Sequence, residues 1–299
     1  MTGFASALAS GRFVLTAEVT PPLSLSPAPL IEKVRPLAGL ADAVNVTDSA
    51  SARAAMDPVA AAAIMLGAGV EPIVQLTCRD RNRIALQGAI LGAAALGVRA
   101  FLFLTGDKPE AGDQPDAKGV FDIGSADLVR TAAGIGAGRL PSGRAVADAA
   151  PLLPGVADCP IDPPEGWQPV GLLAKIAAGA RFAQTQFCMD TDIVRRYAAR
   201  LREAGVDEDF RLIVGVAPLA SARSVAWIRA NLFGAIIPDA LNARLEAAAD
   251  PKAEGAAACV ELIAALADIT GVAGAHVMAP LNARAVPGVM EAARRRLGQ

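Results

Sequence analysis

The 299-residue sequence predicts an α/β protein with the fold of a single (β/α)8 TIM barrel over residues 1–299. Eight times along the chain, a short apolar run ends in a polar or turn residue and a helix-like segment follows. Strands that are buried on both faces form continuous apolar runs, which is typical of a parallel sheet covered by helices. Eight such units in about 250–300 residues match the size of one barrel, whose active sites lie at the carboxyl ends of the strands. The polar residues that end the runs are therefore the candidate site.

The strands and helices can be placed in order from these runs and from helical spacing of the apolar residues. The predicted strands are Phe13–Ala17, Ala43–Val46, Ile73–Leu76, Ala100–Leu104, Leu152–Ala157, Phe182–Thr185, Leu212–Ala217 and Ala275–Ala279. The predicted helices are Pro27–Leu40, Pro58–Leu66, Asn82–Leu96, Ala126–Ala137, Pro169–Ala178, Asp190–Ala204, Ser221–Leu232 and Ala253–Ile269. One long irregular segment, Lys108–Gly124, is rich in Asp, Pro and Gly, and a loop of this length after a barrel strand is expected to cover the site.

The composition excludes several classes of function. The formal net charge of -2 gives no electrostatic reason to bind nucleic acid or an anionic membrane. No apolar run approaches the roughly 18 residues of a membrane-spanning helix. Met1–Arg12 lacks the pattern of a secretion signal. We therefore expect a cytoplasmic protein with a small-molecule substrate, and the sequence leaves its oligomeric state, including a homo-oligomer, open.

The cysteines and the histidine argue against metal chemistry. His276 is the only histidine and the four cysteines are far apart, so we expect no metal site and reduced thiols. The lone histidine also leaves carboxylates, amides or a bound cofactor to carry the chemistry. No GxGxxG motif follows a strand and no P-loop motif is present, so barrel loops and helix ends would bind any nucleotide. The cysteines are Cys78, Cys159, Cys188 and Cys259.

Three polar residues at strand ends are the candidate catalytic or binding groups. Glu18 interrupts VLTAEVTPP, and a partly desolvated carboxylate in a barrel mouth suits a general acid. The alternative for Glu18 is a structural ion pair with an arginine. Asp107 in LTGD is a second carboxylate or the cap of a turn. Gln186 in QTQFCMD could orient a substrate through paired hydrogen bonds or satisfy neighbouring backbone groups.

Seven segments in register resemble motifs of the methylenetetrahydrofolate reductase family over nearly the whole chain. The most specific is KIAAGARFAQTQFCMD, which is similar to the family's K-x-x-A-G-A-x-x-x-x-T-Q-F-x-x-D signature. TAEVTPP resembles the first-strand F-E-F-F-P-P motif, and VNVTD resembles the second-strand V-S-V-T segment. PIVQLTCRD resembles H-L-T-C, and FLTGDKP resembles R-G-D. VGVAPL and APLNAR resemble the P-G-I-x-P and T-L-N-R segments of the last two strands.

The resemblance implies reduction of 5,10-methylenetetrahydrofolate to 5-methyltetrahydrofolate by NADH or NADPH through non-covalently bound FAD. It implies that Glu18 donates the proton that opens the methylene bridge. It further implies that Asp107 contacts the pterin and tunes the flavin, and that Gln186 orients pterin or nicotinamide. Lys175 would approach the flavin phosphates from its helix. The other implied flavin or nicotinamide positions are Thr47, Gln75, Thr105 and Gly106.

Departures from the family motifs keep two alternatives open. Gln75 stands where the family has the histidine before L-T-C, Thr105 replaces the arginine of R-G-D, and Ala283 replaces the arginine of T-L-N-R. A lost charged contact at Thr105 predicts weaker flavin binding, so direct hydride transfer from NAD(P)H to the same folate is one alternative. The other is a methyltransferase that uses methyltetrahydrofolate, because pterin-binding barrels of that class also hold folate with a carboxylate and an amide. A folate-binding barrel without catalysis is a third interpretation.

Overall fold

The computed structural model describes residues 3–299, in which eight parallel strands close into a barrel surrounded by helices. Each strand pairs with the next along the chain, and the last pairs with the first, which confirms the predicted (β/α)8 fold. Met1 and Thr2 lie outside the described residues, and the extent of one domain over 1–299 stays a prediction. The strands are β1 Val14–Val19, β2 Ala43–Val46, β3 Pro72–Thr77, β4 Ala100–Leu104, β5 Leu153–Asp158, β6 Phe182–Phe187, β7 Arg211–Val216 and β8 Val272–Val277.

The predicted strand bounds agree with the structure to within about two residues except at β8. That strand begins at Val272, whereas its apolar run was expected to begin at Ala275. The glycine inside it explains the difference, because Gly274 interrupts the apolar run but is required by the neighbouring strand. A Cβ at Gly274 would lie 2.4 Å from the carbonyl oxygen of Val14 on β1. The close approach of β8 to β1, which closes the barrel, therefore depends on a residue that weakens the sequence pattern.

Residues 3–299 contain all eight predicted helices and three further α-helices that the sequence did not predict. The helix that begins at Ala28 ends at Val34, earlier than predicted, and a 3₁₀ turn over Arg35–Leu37 follows at a proline. Asp190 and Ser221 cap the helices that follow them, since their side chains accept backbone N–H groups of the first helical turn. The helices are α1 Phe4–Ala9, α2 Ala28–Val34, α3 Pro58–Gly67, α4 Arg83–Ala95, α5 Ser125–Gly136, α6 Val170–Ala177, α7 Thr191–Glu203, α8 Ala222–Asn231, α9 Asp239–Ala247, α10 Pro251–Ala267 and α11 Val286–Arg296.

The short helix α1 fills the amino-terminal end of the barrel. Phe4 and Leu8 are buried in a cluster of interior apolar side chains that includes Ile73 and Phe182. The rings of Phe4 and Phe182 meet edge to face at 5.5 Å, and the backbone N–H of Phe4 donates to Glu71 at 2.9 Å. Because apolar side chains fill this end, the polar side chains of the interior are concentrated towards the carboxyl ends of the strands.

The segment Lys108–Gly124 lies beside the mouth of the barrel, against the loops that follow β2 and β3. The backbone N–H of Val120 donates to the carbonyl of Arg79 at 2.6 Å, and the N–H of Phe121 donates to that of Cys78 at 3.1 Å. Asp122 then pairs with the guanidinium of Arg83. These contacts fix the position of the last residues of the segment relative to the start of α4. None of the hydrogen bonds in the described part of the chain joins the segment to Glu18, so its role as a cover for the site stays a prediction.

Candidate active site

Glu18 lies at the carboxyl end of β1 and its side chain is 27% exposed in the barrel mouth. Alternation along the strand places it on the same face as Thr16, which points into the barrel interior. Gln75 Nε2 donates to Glu18 Oε2 at 2.8 Å, and His276 Nε2 lies 3.8 Å from the same oxygen. The structure shows no ion pair between Glu18 and an arginine among residues 3–299. The carboxylate is therefore hydrogen-bonded by the amide of Gln75, lies near the imidazole of His276, and stays accessible on one side.

A layer of four buried polar side chains lies directly beneath Glu18. Asn45 Nδ2 donates to Gln184 Oε1 at 2.6 Å, and Gln184 Nε2 donates back to Asn45 Oδ1 at 3.0 Å. Gln184 Nε2 also donates to Thr16 Oγ1 at 3.1 Å, and Thr16 Oγ1 lies 2.9 Å from His276 Nδ1. All four residues are almost fully buried. Because each member has partners, the layer is a satisfied polar network that fixes the position of the imidazole under the carboxylate.

A second cluster joins the loops after β2 and β3 through Asp48. Asp48 Oδ2 accepts the backbone N–H of Thr77 at 2.7 Å and its hydroxyl at 2.9 Å. The guanidinium of Arg81 donates to both oxygens of Asp48, at 2.8 and 3.2 Å. The Asp48 side chain is only 1% exposed, so these hydrogen bonds replace its hydration. The cluster holds Thr77 at the rim of the mouth in a fixed orientation.

Beyond β4, Thr105 and Asp107 are exposed and Gly106 makes the turn between them. Gly106 has φ +90°, and a Cβ there would lie 3.0 Å from Thr77 Cβ and 3.1 Å from Arg79 Cβ. The turn brings Asp107 close to Arg79, whose Nη1 lies 3.5 Å from the carbonyl oxygen of Asp107. The pKa of Arg79 is raised mainly by its hydrogen bond to Asp80, and the carboxylates of Asp48 and Asp107 add to the effect. Asp107 thus lies next to a buried cation.

Two of the predicted binding residues are engaged with the protein. The amide of Gln186 donates to the carbonyl of Phe233 at 3.2 Å and accepts the backbone N–H of Phe187 at 3.0 Å. These bonds tie β6 to the segment between α8 and α9. Lys175 Nζ donates to the carbonyl of Ala157 at 2.8 Å, which ties α6 to the end of β5. Gln186 and Lys175 can hold a ligand only by sharing or exchanging these partners.

Thr47 is distinctive because its hydroxyl is buried without a partner. Within residues 3–299, Thr47 Oγ1 is the one buried side-chain nitrogen or oxygen that makes no hydrogen bond. Such a group costs free energy unless a ligand or water satisfies it. Its backbone N–H donates to the carbonyl of Val19, one residue after Glu18. The hydroxyl therefore marks a polar contact that a bound molecule can complete.

The structure brings some of the predicted site residues together and leaves others apart. Glu18 lies on β1 and Gln75 on β3, and Gln75 contacts Glu18 directly. Thr47 directly follows β2, the strand between them. Gln186 lies on β6 where the register shifts between Gln184 and Phe187, and its amide binds Phe233 and Phe187 instead of Glu18, Thr47 or Gln75. The rim after β4 consists of Thr105, Gly106 and Asp107. Lys175 lies on α6, and its side chain contacts the end of β5.

Sequence reasoning missed the buried layer beneath Glu18. In the sequence, His276 is informative only because a single histidine argues against a zinc site. Gln184 is one residue within the KIAAGARFAQTQFCMD segment. One sequence signal could have indicated the layer: polar residues inside apolar strands alternate with apolar ones, so they face a common interior. The members of the layer are Thr16, Asn45, Gln184 and His276.

Two searches of the described chain bear on its ligands. Among residues 3–299 no group of three or more His, Cys, Asp or Glu side chains is arranged to hold a metal ion. In the same part of the chain, no helix is both long enough and apolar enough to cross a lipid bilayer.

Comparison with known proteins matches residues 4–294 to the family described as Methylenetetrahydrofolate reductase. A search of curated proteins finds no match. Among solved structures, the chain is similar to an uncharacterized protein from Clostridium thermocellum that binds two copies of 5-methyl-5,6,7,8-tetrahydrofolic acid, with 10% identity, a TM-score of 0.63 and 99% of each chain covered. It is also similar to EDTA monooxygenase from Chelativorans sp. BNC1, with 12% identity, a TM-score of 0.55, and 96% of this chain and 98% of that chain covered. At such identities these two structures show a shared fold.

Proposed function

Because the chain belongs to the methylenetetrahydrofolate reductase family, we propose that it reduces 5,10-methylenetetrahydrofolate to 5-methyltetrahydrofolate with NADH or NADPH. The observation that carries the proposal is the accessible carboxyl group of Glu18, held in the barrel mouth by Gln75 above the buried His276. The Clostridium thermocellum protein of similar fold binds 5-methyl-5,6,7,8-tetrahydrofolic acid, which has the chemistry of the proposed product. A reduced folate is therefore the proposed substrate class.

Glu18 is the proposed general acid. Transfer of its proton to the bridging nitrogen on the side-chain arm of the folate breaks one carbon–nitrogen bond of the methylene bridge. The carbon is left as an electrophilic iminium on the pterin ring, and a hydride completes the methyl group. The Glu18 carboxylate then regains a proton from solvent, which its partial exposure permits. Gln186 and Asp107 are the proposed pterin contacts, and the amide of Gln186 has to release Phe233 to make them.

FAD is the proposed hydride carrier, and the residues at the mouth fit it in one definite respect. The buried hydroxyl of Thr47 has no partner in the described chain, and a polar edge of a bound ring system would satisfy it. When bound there, FAD would supply the capacity to carry a hydride from NAD(P)H to the folate. The residues proposed to hold FAD or nicotinamide are Thr47, Gln75, Thr105, Gly106, Asp107 and Lys175.

A specific observation favours direct hydride transfer from NAD(P)H as the second candidate. The cations at the mouth already have protein partners: Arg79 pairs with Asp80, and Arg81 pairs with Asp48. Lys175 donates to a backbone carbonyl. A pyrophosphate that must compete for such groups loses charged hydrogen bonds, each worth roughly 1.5–3 kcal/mol, or about one to two decades in affinity. Weak or absent flavin binding would follow from this arrangement.

One set of measurements tests the proposal and separates the alternatives. Purified protein should oxidise NADH or NADPH when 5,10-methylenetetrahydrofolate is added, with 5-methyltetrahydrofolate as product. Absorbance spectra with and without added FAD distinguish the two hydride routes: flavin bands and a rise in activity support FAD, whereas reduction without any FAD effect supports direct transfer. Methyl transfer from methyltetrahydrofolate to a corrinoid, with no nicotinamide turnover, would instead establish a methyltransferase and reject the proposal.

A further inference from the structure

We propose that Gln75 and His276 are positioning residues that determine which oxygen of Glu18 carries the transferable proton. The inference rests on the proposed role of Glu18 as the proton donor. Both residues approach the same oxygen: Gln75 Nε2 lies 2.8 Å and His276 Nε2 lies 3.8 Å from Glu18 Oε2. The N–H group of Gln75 donates to Oε2 and the imidazole of His276 faces the same atom, so Oε2 is the accepting oxygen of the carboxylic acid. The proton therefore resides on Oε1.

The buried layer determines which nitrogen of His276 carries the proton. Gln184 Nε2 is a donor that lies 3.1 Å from Thr16 Oγ1 and 3.3 Å from His276 Nδ1. Since Thr16 Oγ1 accepts from Gln184, its own hydrogen is free to point at His276 Nδ1, 2.9 Å away. The two hydrogens of the Gln184 amide go to Asn45 Oδ1 and Thr16 Oγ1, so the Thr16 hydroxyl is the donor that Nδ1 accepts from, which places the ring proton on Nε2. The Nε2–H group is the one that faces Glu18.

The orientation of the Gln184 amide sets the sense of this chain of hydrogen bonds. Its oxygen accepts from Asn45 Nδ2, and its nitrogen is turned towards Thr16 and His276. All of these groups are inaccessible to water, which cannot exchange with them as an alternative partner. The layer therefore acts on Glu18 through His276 although it does not touch the mouth itself.

The other oxygen of Glu18 is left for the substrate. Within residues 3–299, Glu18 Oε1 accepts no hydrogen bond, and this oxygen is accessible to solvent rather than buried. A proton on Oε1 faces the mouth, where the folate nitrogen has to lie. A proton on Oε2 would face the N–H groups of Gln75 and His276 and could not be delivered. The two residues thus orient the acid without taking part in proton transfer.

The first test reads the His276 tautomer directly. Because the chain has one histidine, ¹⁵N-histidine labelling gives a spectrum with a single imidazole to assign. We expect a proton on Nε2 and an unprotonated Nδ1 in the wild-type protein. We also expect Glu18→Gln to shift the Nε2–H resonance while the tautomer is retained. A proton on Nδ1, or an Nε2–H resonance that does not respond to Glu18→Gln, overturns the inference.

The second test uses two replacements of His276, each of which keeps a hydrogen-bonding group near the position of one ring nitrogen. His276→Gln places an amide near the position of Nε2, and His276→Asn places one near the position of Nδ1. Misplacing a catalytic group by about 1 Å costs on the order of 10²-fold in rate. We expect kcat to fall by about that factor in His276→Asn, to be largely kept in His276→Gln, and KM for the folate to change little in both. Thermal unfolding of both variants shows that the barrel is intact.

A replacement of Gln75 provides the complementary measurement. Gln75→Met keeps the length of the side chain but removes the N–H that Glu18 Oε2 accepts, so kcat should fall while KM for the folate is retained. Equal kcat values in His276→Asn and His276→Gln would overturn the positioning role. The tautomer is measured without turnover, whereas reduction of methylenetetrahydrofolate by the wild-type protein tests the proposed function. A failure of either one is therefore distinguishable from a failure of the other.

Discussion

Replacing Glu18 by glutamine removes the transferable proton while it keeps the shape of the side chain. The glutamine carbonyl can still accept from Gln75 Nε2, which lies 2.8 Å from Glu18 Oε2, and its amide group then takes the accessible position. The barrel should fold normally, because no ion pair with an arginine is lost. General acid catalysis typically contributes about 10²–10⁴-fold in rate, so we expect the rate of folate reduction to fall by that factor.

The assay separates the step that needs a proton from the step that does not. If FAD is bound, NAD(P)H should reduce it at an unchanged rate in Glu18→Gln, measured by loss of flavin absorbance under anaerobic conditions. Asp209→Asn is a matched control, since it also removes one carboxylate charge but at an exposed position before β7, at the opposite end of the barrel from the mouth. Equal losses in both half-reactions of Glu18→Gln would show that the residue is structural and would refute the assignment. Without bound FAD, binding of the folate to the variant provides the corresponding control.

Two further predictions concern the surroundings of the site. Asp48→Asn removes the charge that pairs with Arg81 in a largely buried setting, and we expect a loss of about 3 kcal/mol in the free energy of unfolding. Arg130→Gln, which removes an exposed ion pair, should cost less than about 1 kcal/mol in the same denaturant titration, and equal effects would contradict the argument. In the native protein a thiol reagent at pH 8 should modify the half-buried Cys159 first, and rapid reaction of more than one thiol per chain would be inconsistent with the structure. Burial raises the pKa of all four thiols, to about 11 for Cys78 and to about 12 for Cys188 and Cys259, so the partial exposure of Cys159 decides the order of reaction.

The fold was predictable because its signal is local and repeated. Each strand of the parallel sheet is buried on both faces, so eight apolar runs with helices between them mark the barrel without knowledge of any long-range contact. Helix α1 has no such signal: it is short, and its partner Phe182 lies far along the chain. Helix α9 lies in the long segment between β7 and β8, which contains three helices and no strand that would indicate where α9 begins. These elements depend on tertiary contacts that spacing alone does not contain.

The sequence could predict only those residues of the candidate site that lie at the ends of predicted strands. Glu18 was found because a charged residue interrupts an apolar run, and this signal needs no partner. Its contacts with Gln75 and His276 join β1 to β3 and β8, and they depend on the stagger of the closed barrel. Gln75, predicted to contact a cofactor, also donates to Glu18, so its cofactor role stays a prediction.

The two carboxylates of the mouth have different surroundings, which suits different roles. Glu18 is held by the amide of Gln75 and by an imidazole whose Nδ1 accepts, so its proton can leave without breaking an ion pair with an arginine. Asp107 instead lies on the exposed rim, where its backbone carbonyl oxygen is 3.5 Å from the guanidinium of Arg79, which pairs with Asp80. A group that must give up a proton benefits from neutral neighbours, whereas a group that supplies fixed charge benefits from a nearby cation. The proposed division of roles between Glu18 and Asp107 is consistent with these different surroundings.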